Sequence, residues 1–309
     1  MIQAPDIANL AERLGFQEIL KNPILDIAAR FWDTERYKAF KVCYRSMRAV
    51  DDLVDSHKEA TIEISKAGKQ QLASIVSSWQ TNGTALYGTV QKQLEETREK
   101  FRIPSWPWER LAESMIYDVY HNGFRTFPDF LEYSEGAAVA PASVFMHLCG
   151  VYKENGHYRP PKFDVREAAR SLALFCYIVH IIRDFQKDQS NNLNYFADSL
   201  LAENGLTPSM LKEIAAGGEI SPGFRSLMGE YHASAEHYRR KARERIDKIG
   251  SFLEPRCLLS LELIYSLYLQ IFERIDVSNG RFTSTELNPS PGEVREKISS
   301  TVSSFERTK

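Results

Sequence analysis

A single all-α domain is what this chain predicts. Three observations carry the reading. Most of the 309 residues fall into stretches whose apolar positions recur every three or four residues, the spacing of one helix face. No stretch alternates apolar and polar with period two, as a half-buried strand would. No segment repeats at fixed spacing and none is of low complexity, which argues against a solenoid. The length suffices for a sizeable core, and economy favours one helical domain over residues 1–275 followed by a polar tail at 276–309.

The elements follow in order. Residues 6 to 20 form a short amphipathic opener. Asn22-Pro23 interrupts it; proline suits a first helical turn, so Asn22 caps a helix through Ala29. Asp33 and Thr34 are caps for the next helix. Helices near 65 to 79 and 84 to 101 are separated at Asn82-Gly83, and Pro104 and Pro107 mark a loop. Residues 108 to 122 read as helix, and Pro128 precedes a short one holding Phe130 and Tyr133. From Ala137 to Val151 the chain is small and apolar, which serves close helix packing or leaves room for a ligand. A polar loop at 152 to 163 leads to a long helix at about 164 to 188. The Q-S-N-N-L-N-Y-F stretch after it is neither strand nor good helix, and is placed to close over a ligand. Helices near 207 to 215, 222 to 248 and 252 to 275 complete the body. Pro289 and Pro291 punctuate the tail, read as partly mobile or only locally helical.

Two of these helices carry polar groups where periodicity calls for apolar ones. In Y-R-S-M-R-A-V-D-D-L-V-D, Tyr44, Arg48, Asp51 and Asp55 fall within roughly a 60° arc, on the face that Phe40 and Met47 border. Burying carboxylates there is costly unless cations accompany them. Asp51 and Asp55 lie one turn apart and want a shared cation; oxygen ligands of this kind suit Mg²⁺, which keeps several waters and takes phosphate oxygens. The plain alternative is a solvated acidic helix end paired with Arg45 or Arg48. A second stripe weakens that alternative: Ala173, Tyr177, His180, Asp184 and Asp188 share one face of the long helix. Two such helices facing each other would hold two or three Mg²⁺ against a diphosphate, with Arg48, Arg183 and Lys187 on its remaining oxygens. His180 reads either as a satisfied core histidine or as a group that bonds the diphosphate or handles a proton near it.

Composition narrows the field. A net charge of −2 gives no electrostatic reason to expect nucleic acid binding. The basic run from Arg239 to Arg245 is mixed with acids and reads as a solvated face. Cys43, Cys149, Cys176 and Cys257 are scattered without metal-site spacing and read as reduced core thiols. There is no secretion signal and no apolar run of membrane-spanning length, so a cytoplasmic chain is expected, with room for peripheral membrane contact. Oligomeric state is not legible.

The motif pair resembles the two aspartate-rich motifs of squalene and phytoene synthases. Y-R-S-M-R-A-V-D-D-L-V-D is similar to the first and H-I-I-R-D-F-Q-K-D to the second. Asp118, Thr126 and Tyr133 resemble the segment between them, and Tyr265 to Ile275 the closing helix; the likeness covers roughly residues 20 to 275. It implies the isoprenoid-synthase helical bundle with a central cavity, joining two prenyl diphosphates head to head with Mg²⁺. By this resemblance Asp51, Asp52, Asp55, Asp184 and Asp188 bind metal. Tyr44, Arg48 and Tyr133 stand with Asp51 and Asp184 at the reacting centre. Asn22, Arg45, Arg48, Tyr177, His180, Arg183 and Lys187 contact substrate. Farnesyl diphosphate is the favoured substrate, and NADPH the reductant if a second, reductive step occurs.

The chain also departs from the family pattern. Asn22-Pro23-Ile24-Leu25 stands where serines and a phenylalanine are usual, and His180 where the second motif opens with asparagine. Tyr177 stands where squalene synthases tend to have glutamine, and Asn192-Leu193 replaces a Gly-Arg pair that would supply a diphosphate-binding arginine. Two alternatives therefore stay open: ionisation of one substrate to a prenyl alcohol or cyclic terpene, and a non-catalytic scaffold of the same fold. Carboxylates kept at both motifs argue against the scaffold.

Overall fold

The computed structural model describes residues 24–58, 64–82 and 88–307. The expected opener at 6–20 and Asn22 lie outside them. The order is α1 (Ile24–Ala29), α2 (Thr34–Lys58), α3 (Lys66–Asn82), α4 (Gly88–Phe101), α5 (Trp106–Tyr120), α6 (Phe127–Ser134) and α7 (Ala140–Gly150). Then come strands β1 (Tyr152–Glu154) and β2 (His157–Arg159), followed by α8 (Val165–Ser190), α9 (Asp198–Glu203), α10 (Pro208–Ala215), α11 (Pro222–Ile249), α12 (Pro255–Phe272), α13 (Ser284–Leu287) and α14 (Pro291–Arg307). Apart from one two-stranded sheet, the described chain is a helical bundle around one continuous core.

Capping chemistry sets where the site helices begin. The Asp33 carboxylate accepts from the N–H groups of Glu35 and Arg36 at 3.0 Å, starting α2. Asp164 accepts from Glu167 N–H at 2.8 Å, starting α8. Arg36 is buried and ties the head of α2 to two other elements, donating to Glu254 at 2.6 and 2.8 Å and to the Val151 carbonyl at 2.7 Å. The 26 residues of α8 span about 39 Å. Its inner face, with Phe175, Ile178, Ile182 and Phe185, is buried, and α8 packs extensively along α11. Phe185, Phe196, Phe224 and Tyr231 pack edge-on or tilted around its acidic end with ring centroids 4.9 to 5.9 Å apart. Each such ring contributes roughly 1.5–3 kcal/mol by burial, which makes that end of α8 a rigid support.

Between α6 and α7 the helical path widens into a π turn at Glu135–Val139. Proline at 141 has no N–H to offer the Ala137 carbonyl, so a strict i+4 ladder cannot run through this point. Glu135 anchors the turn by accepting from Arg166 at 2.9 Å and from Arg170. Gly136 brings it against α5: a Cβ there would sit 2.1 Å from the Arg110 carbonyl oxygen. Gly136→Ala is expected to cost about 1–3 kcal/mol or more and lower the melting temperature, because the obstacle is backbone. An unchanged melting curve would mean that α5 and the π turn are not so closely docked.

Two expectations change here. Residues 152–163 contain a hairpin, with Asn155 and Gly156 both at positive φ in the turn, as a two-residue hairpin loop requires. The polar tail is largely helical: α14 packs on α12, with Ile298 and Val302 fully buried.

Candidate active site

A cavity of about 340 Å³ opens between α2, α5, α7, α8 and α12. Small residues of the π turn and α7 (Ala137, Ala138, Ala142) and of α8 (Ala169, Ala173) make the room. Five tyrosines reach the wall: Tyr44, Tyr133, Tyr177, Tyr195 and Tyr268. Burial raises the pKa of each, so all five remain neutral phenols near neutral pH. Tyr133 donates to the buried Asp118 at 2.6 Å.

The α2 stripe lines this cavity with its carboxylates, and the α8 stripe reaches it through Tyr177 and His180. From α2, Tyr44, Arg48, Asp51 and Asp55 line it, and from α8, Tyr177 and His180 do. Asp184 and Asp188 follow His180 one and two turns further along the same face. Arg48 donates to Asp51 at 2.5 Å and also to Asp52. Arg183 grips Asp184 with two bonds, Nε to Oδ1 at 2.7 Å and Nη2 to Oδ2 at 2.8 Å. The same Nη2 donates to His180 Nδ1 at 3.0 Å, which leaves the histidine proton on Nε2, facing Asp184 Oδ2 at 3.0 Å. His180 is thus neither core nor free: it lines the cavity with both ring nitrogens engaged, and burial lowers its pKa.

The carboxyls differ sharply. Burial works to raise Asp184, but hydrogen bonds from Arg183 and His180 outweigh it and hold the group far below the usual carboxylate range. Burial raises Asp51 despite Arg48. Asp188 is pushed up to about 7, first by burial, then by repulsion from Asp184, with Asp55 of the facing helix adding to it. Such a group is short of a cation. Among the described residues no three His, Cys, Asp or Glu side chains converge closely enough to enclose a metal ion. A cation here would therefore take one or two carboxylates and complete its shell with water and ligand oxygens.

The Asp188 shift gives a pH signature. Its folded pKa of about 7 exceeds the ordinary 3.8, so its favourable contribution is fully present below about 4 and lost as pH rises through 7. In chelator, Asp188→Asn is expected to melt above wild type by a gap that opens between pH 4 and 7. Parallel pH profiles would show that Asp188 is not held in this way.

Like Asp184 and Asp188, several other expected site residues do not themselves line the cavity. Arg45 and Asp52 are exposed and off the cavity wall, about one residue's rotation round α2 from the stripe. Lys187 is exposed beside Asp188 and also off the wall. Thr126 is the cap of α6, exchanging hydrogen bonds with Asp129 at 3.0 and 3.3 Å. Leu193 is buried, away from the cavity, and Asn192 takes the left-handed backbone (φ 60°) that a glycine there would adopt freely. The loop expected to close over a ligand is anchored, with Leu193 N–H on the Asp188 carbonyl at 2.8 Å and Asp198 N–H on the Phe124 carbonyl at 2.8 Å. Tyr195 and Tyr268 were not singled out by sequence. Tyr268 had a signal, sitting one turn after Tyr265 in the Y-S-L-Y-L run.

Fold and site together define a class, the helical bundle of the isoprenoid-synthase type. Within it, the chain belongs to the squalene/phytoene synthase family, whose sequence profile matches residues 26–293. It is 23% identical over 250 residues to phytoene synthase 2, chloroplastic, of Oryza sativa subsp. japonica, covering 79% of this chain and 58% of that protein. The chain thus spans less than two thirds of that relative's length. A dehydrosqualene synthase crystallised with a ligand superposes with a TM-score of 0.68 at 16% identity, over 99% of this chain and 98% of that one. Squalene synthase HpnC from Alicyclobacillus acidocaldarius gives 0.52 at 14% identity, over 91% and 98%. At these identities the structural likeness is one of fold. No described helix is long and apolar enough to cross a membrane.

Proposed function

We propose that this chain is a prenyltransferase that joins two prenyl diphosphates head to head, with Mg²⁺ and with farnesyl diphosphate favoured. One observation carries the reading: Asp51 and Asp55 of α2 line an apolar, tyrosine-walled cavity, and Asp188 of α8 lies within electrostatic reach of Asp55. Family membership supports it.

The chemistry follows from the residues. An allylic diphosphate ionises when charge on its leaving group is neutralised. Asp51, Asp55, Asp184 and Asp188 would hold Mg²⁺, which supplies that neutralisation at the diphosphate oxygens. Arg48 and Arg183 now sit on carboxylates and are placed to turn to the diphosphate oxygens instead. The prenyl chain lies against the alanines, Phe145 and the tyrosine rings; at about 0.8 kcal/mol per methylene, its burial contributes several kcal/mol. Neutral tyrosines present ring faces and hydroxyls to the developing cation, and the apolar wall limits the water that can capture it.

A second reading rests on two observations. The cavity is near the lower end of the roughly 300–1,000 Å³ range of ligand pockets, and position 193 supplies no arginine to the mouth. Ionisation of a single substrate, giving an alcohol or cyclic terpene, would need less room. The deciding experiment is incubation with farnesyl or geranylgeranyl diphosphate and Mg²⁺, with and without NADPH, followed by lipid analysis. Coupled C30 or C40 product supports the first reading. Farnesol, geranylgeraniol or a cyclic product alone at saturating substrate replaces it with the second.

A further inference from the structure

The outward face of α2 carries a line of cations that leads to Arg48. Lys38, Lys41, Arg45 and Arg48 fall within roughly an 80° arc, opposite the face that buries Phe40, Cys43, Met47 and Val50. They climb the helix over about 15 Å, and the last of them lines the cavity. Lys38 and Arg45 are exposed; Lys41 is half-buried, its Nζ 4.5 Å from the centre of the Tyr37 ring. Among the described residues, none of these three is ion-paired. Asp26, which accepts from Tyr37 at 3.1 Å, is already held by Arg30 at 3.1 Å. Asp52, the one acid of α2 on this arc, lies beyond Arg48 and is paired to it. The basic run of α11 differs. There Arg239 and Arg240 share Glu236, Arg243 bonds Asp247 and Glu262, and Arg245 bonds Glu167, so the charge of its arginines is met within the fold.

We infer that Lys38, Lys41 and Arg45 form an approach path for a diphosphate head group, drawing the anion in from solution toward Arg48 at the cavity. The inference rests on the diphosphate-binding reading of that cavity. The need for such a path follows from the site. The carboxylates of α2 and α8 repel an arriving anion, and the chain's net charge of −2 does nothing to draw it in. A local strip of positive charge counters that repulsion and raises the rate of encounter, before any contact is made. It changes association more than the lifetime of the complex, because these side chains stand off the cavity wall. An anionic bilayer presents the same phosphate chemistry, but the observations favour the free anion. A helix that lies on a lipid surface sets apolar side chains beside its cations. This arc has none, and the large exposed hydrophobics among the described residues, Tyr120 and Phe252, belong to other parts of the fold.

The test follows stopped-flow binding of farnesyl thiolodiphosphate, an unreactive analogue, to the full chain with Mg²⁺. Wild type is compared with Arg45→Gln and with the double reversal Lys38→Glu/Arg45→Glu. Salt is raised from about 10 to about 150 mM, which shortens the Debye length from about 30 Å to about 8 Å. At low salt the double reversal should associate about 10-fold more slowly than wild type, with Arg45→Gln between them. The gap should close at high salt, while dissociation rates and melting temperatures stay near wild type. Equal association in all three chains, or a deficit that persists at high salt, would overturn the path. Faster dissociation in place of slower association would also overturn it, by marking these side chains as contacts to bound ligand. Sedimentation with phosphatidylserine–phosphatidylcholine vesicles distinguishes the lipid source: wild type bound, the double reversal released and association with the analogue unchanged would assign the face to a bilayer instead. A wild type that does not bind the analogue overturns the cavity reading and the path with it; one that binds it without salt dependence overturns the path alone.

Discussion

Asp184→Asn is expected to cut prenyl diphosphate turnover about 100- to 1,000-fold and leave the helical fold standing, with Asp51→Asn close behind. The activity estimate follows from the role. On the proposed reading each aspartate would hold the Mg²⁺ that neutralises the leaving group, and losing one transition-state-stabilising contact is worth about 2.7–4 kcal/mol of barrier. The stability estimate follows from the contacts. Asp184 is 14% exposed and Arg183 is 16% exposed, so asparagine weakens a largely buried, two-bonded ion pair. Hydrogen bonds to charged groups contribute about 1.5–3 kcal/mol, and an amide oxygen still accepts one of the two. A domain with roughly 5–15 kcal/mol of stability survives that. At Asp51 the loss is smaller, because burial already disfavours its charge and Arg48 keeps Asp52 as a partner. Diphosphate release and thermal melting, measured on the same preparations, check both halves. Undiminished wild-type turnover in excess chelator would sink the metal-dependent mechanism outright.

How much of this was legible beforehand depended on whether a side chain's direction follows from a period. Asp51, Asp55, Asp184 and Asp188 stand out in the sequence because they interrupt an apolar stripe, and a helix fixes the direction of every residue on it. Arg45, Asp52 and Lys187 enter the site through the family resemblance; one residue along a helix is about 100° around it, and that rotation leaves all three exposed. Tyr195 belongs to a loop, where no period sets direction, so its place on the cavity wall came only with the structure. The hairpin had a local signal in Asn155-Gly156, but three-residue strands are too short to show alternation. The tail misled by composition. Val294, Ile298, Val302 and Phe305 make a helical stripe, and Pro291 sits in the first turn of α14, where proline is tolerated rather than disruptive.

Leu193→Arg is expected to destabilise this protein rather than redirect its products. The family resemblance expects an arginine at this place and a role for it on the diphosphate, which makes restoring it the obvious substitution. The geometry argues otherwise. Leu193 is 6% exposed and off the cavity wall. Its backbone is held at both ends, the N–H by the Asp188 carbonyl at 2.8 Å and the carbonyl by the Gln189 side chain at 3.1 Å. The side chain therefore cannot swing to the cavity without breaking the bonds that finish α8. An arginine would carry a charge into a site with no carboxylate shown to meet it, which costs about 3–5 kcal/mol when uncompensated. That is a large share of a domain's stability and should appear as a marked fall in melting temperature, with coupled and hydrolysed products declining together. Leu193→Met, which keeps volume and polarity, should melt near wild type and separate the charge effect from repacking. If Leu193→Arg melts like wild type and shifts product toward coupled hydrocarbon, then the loop after α8 can turn outward, and position 193 belongs to the diphosphate site after all.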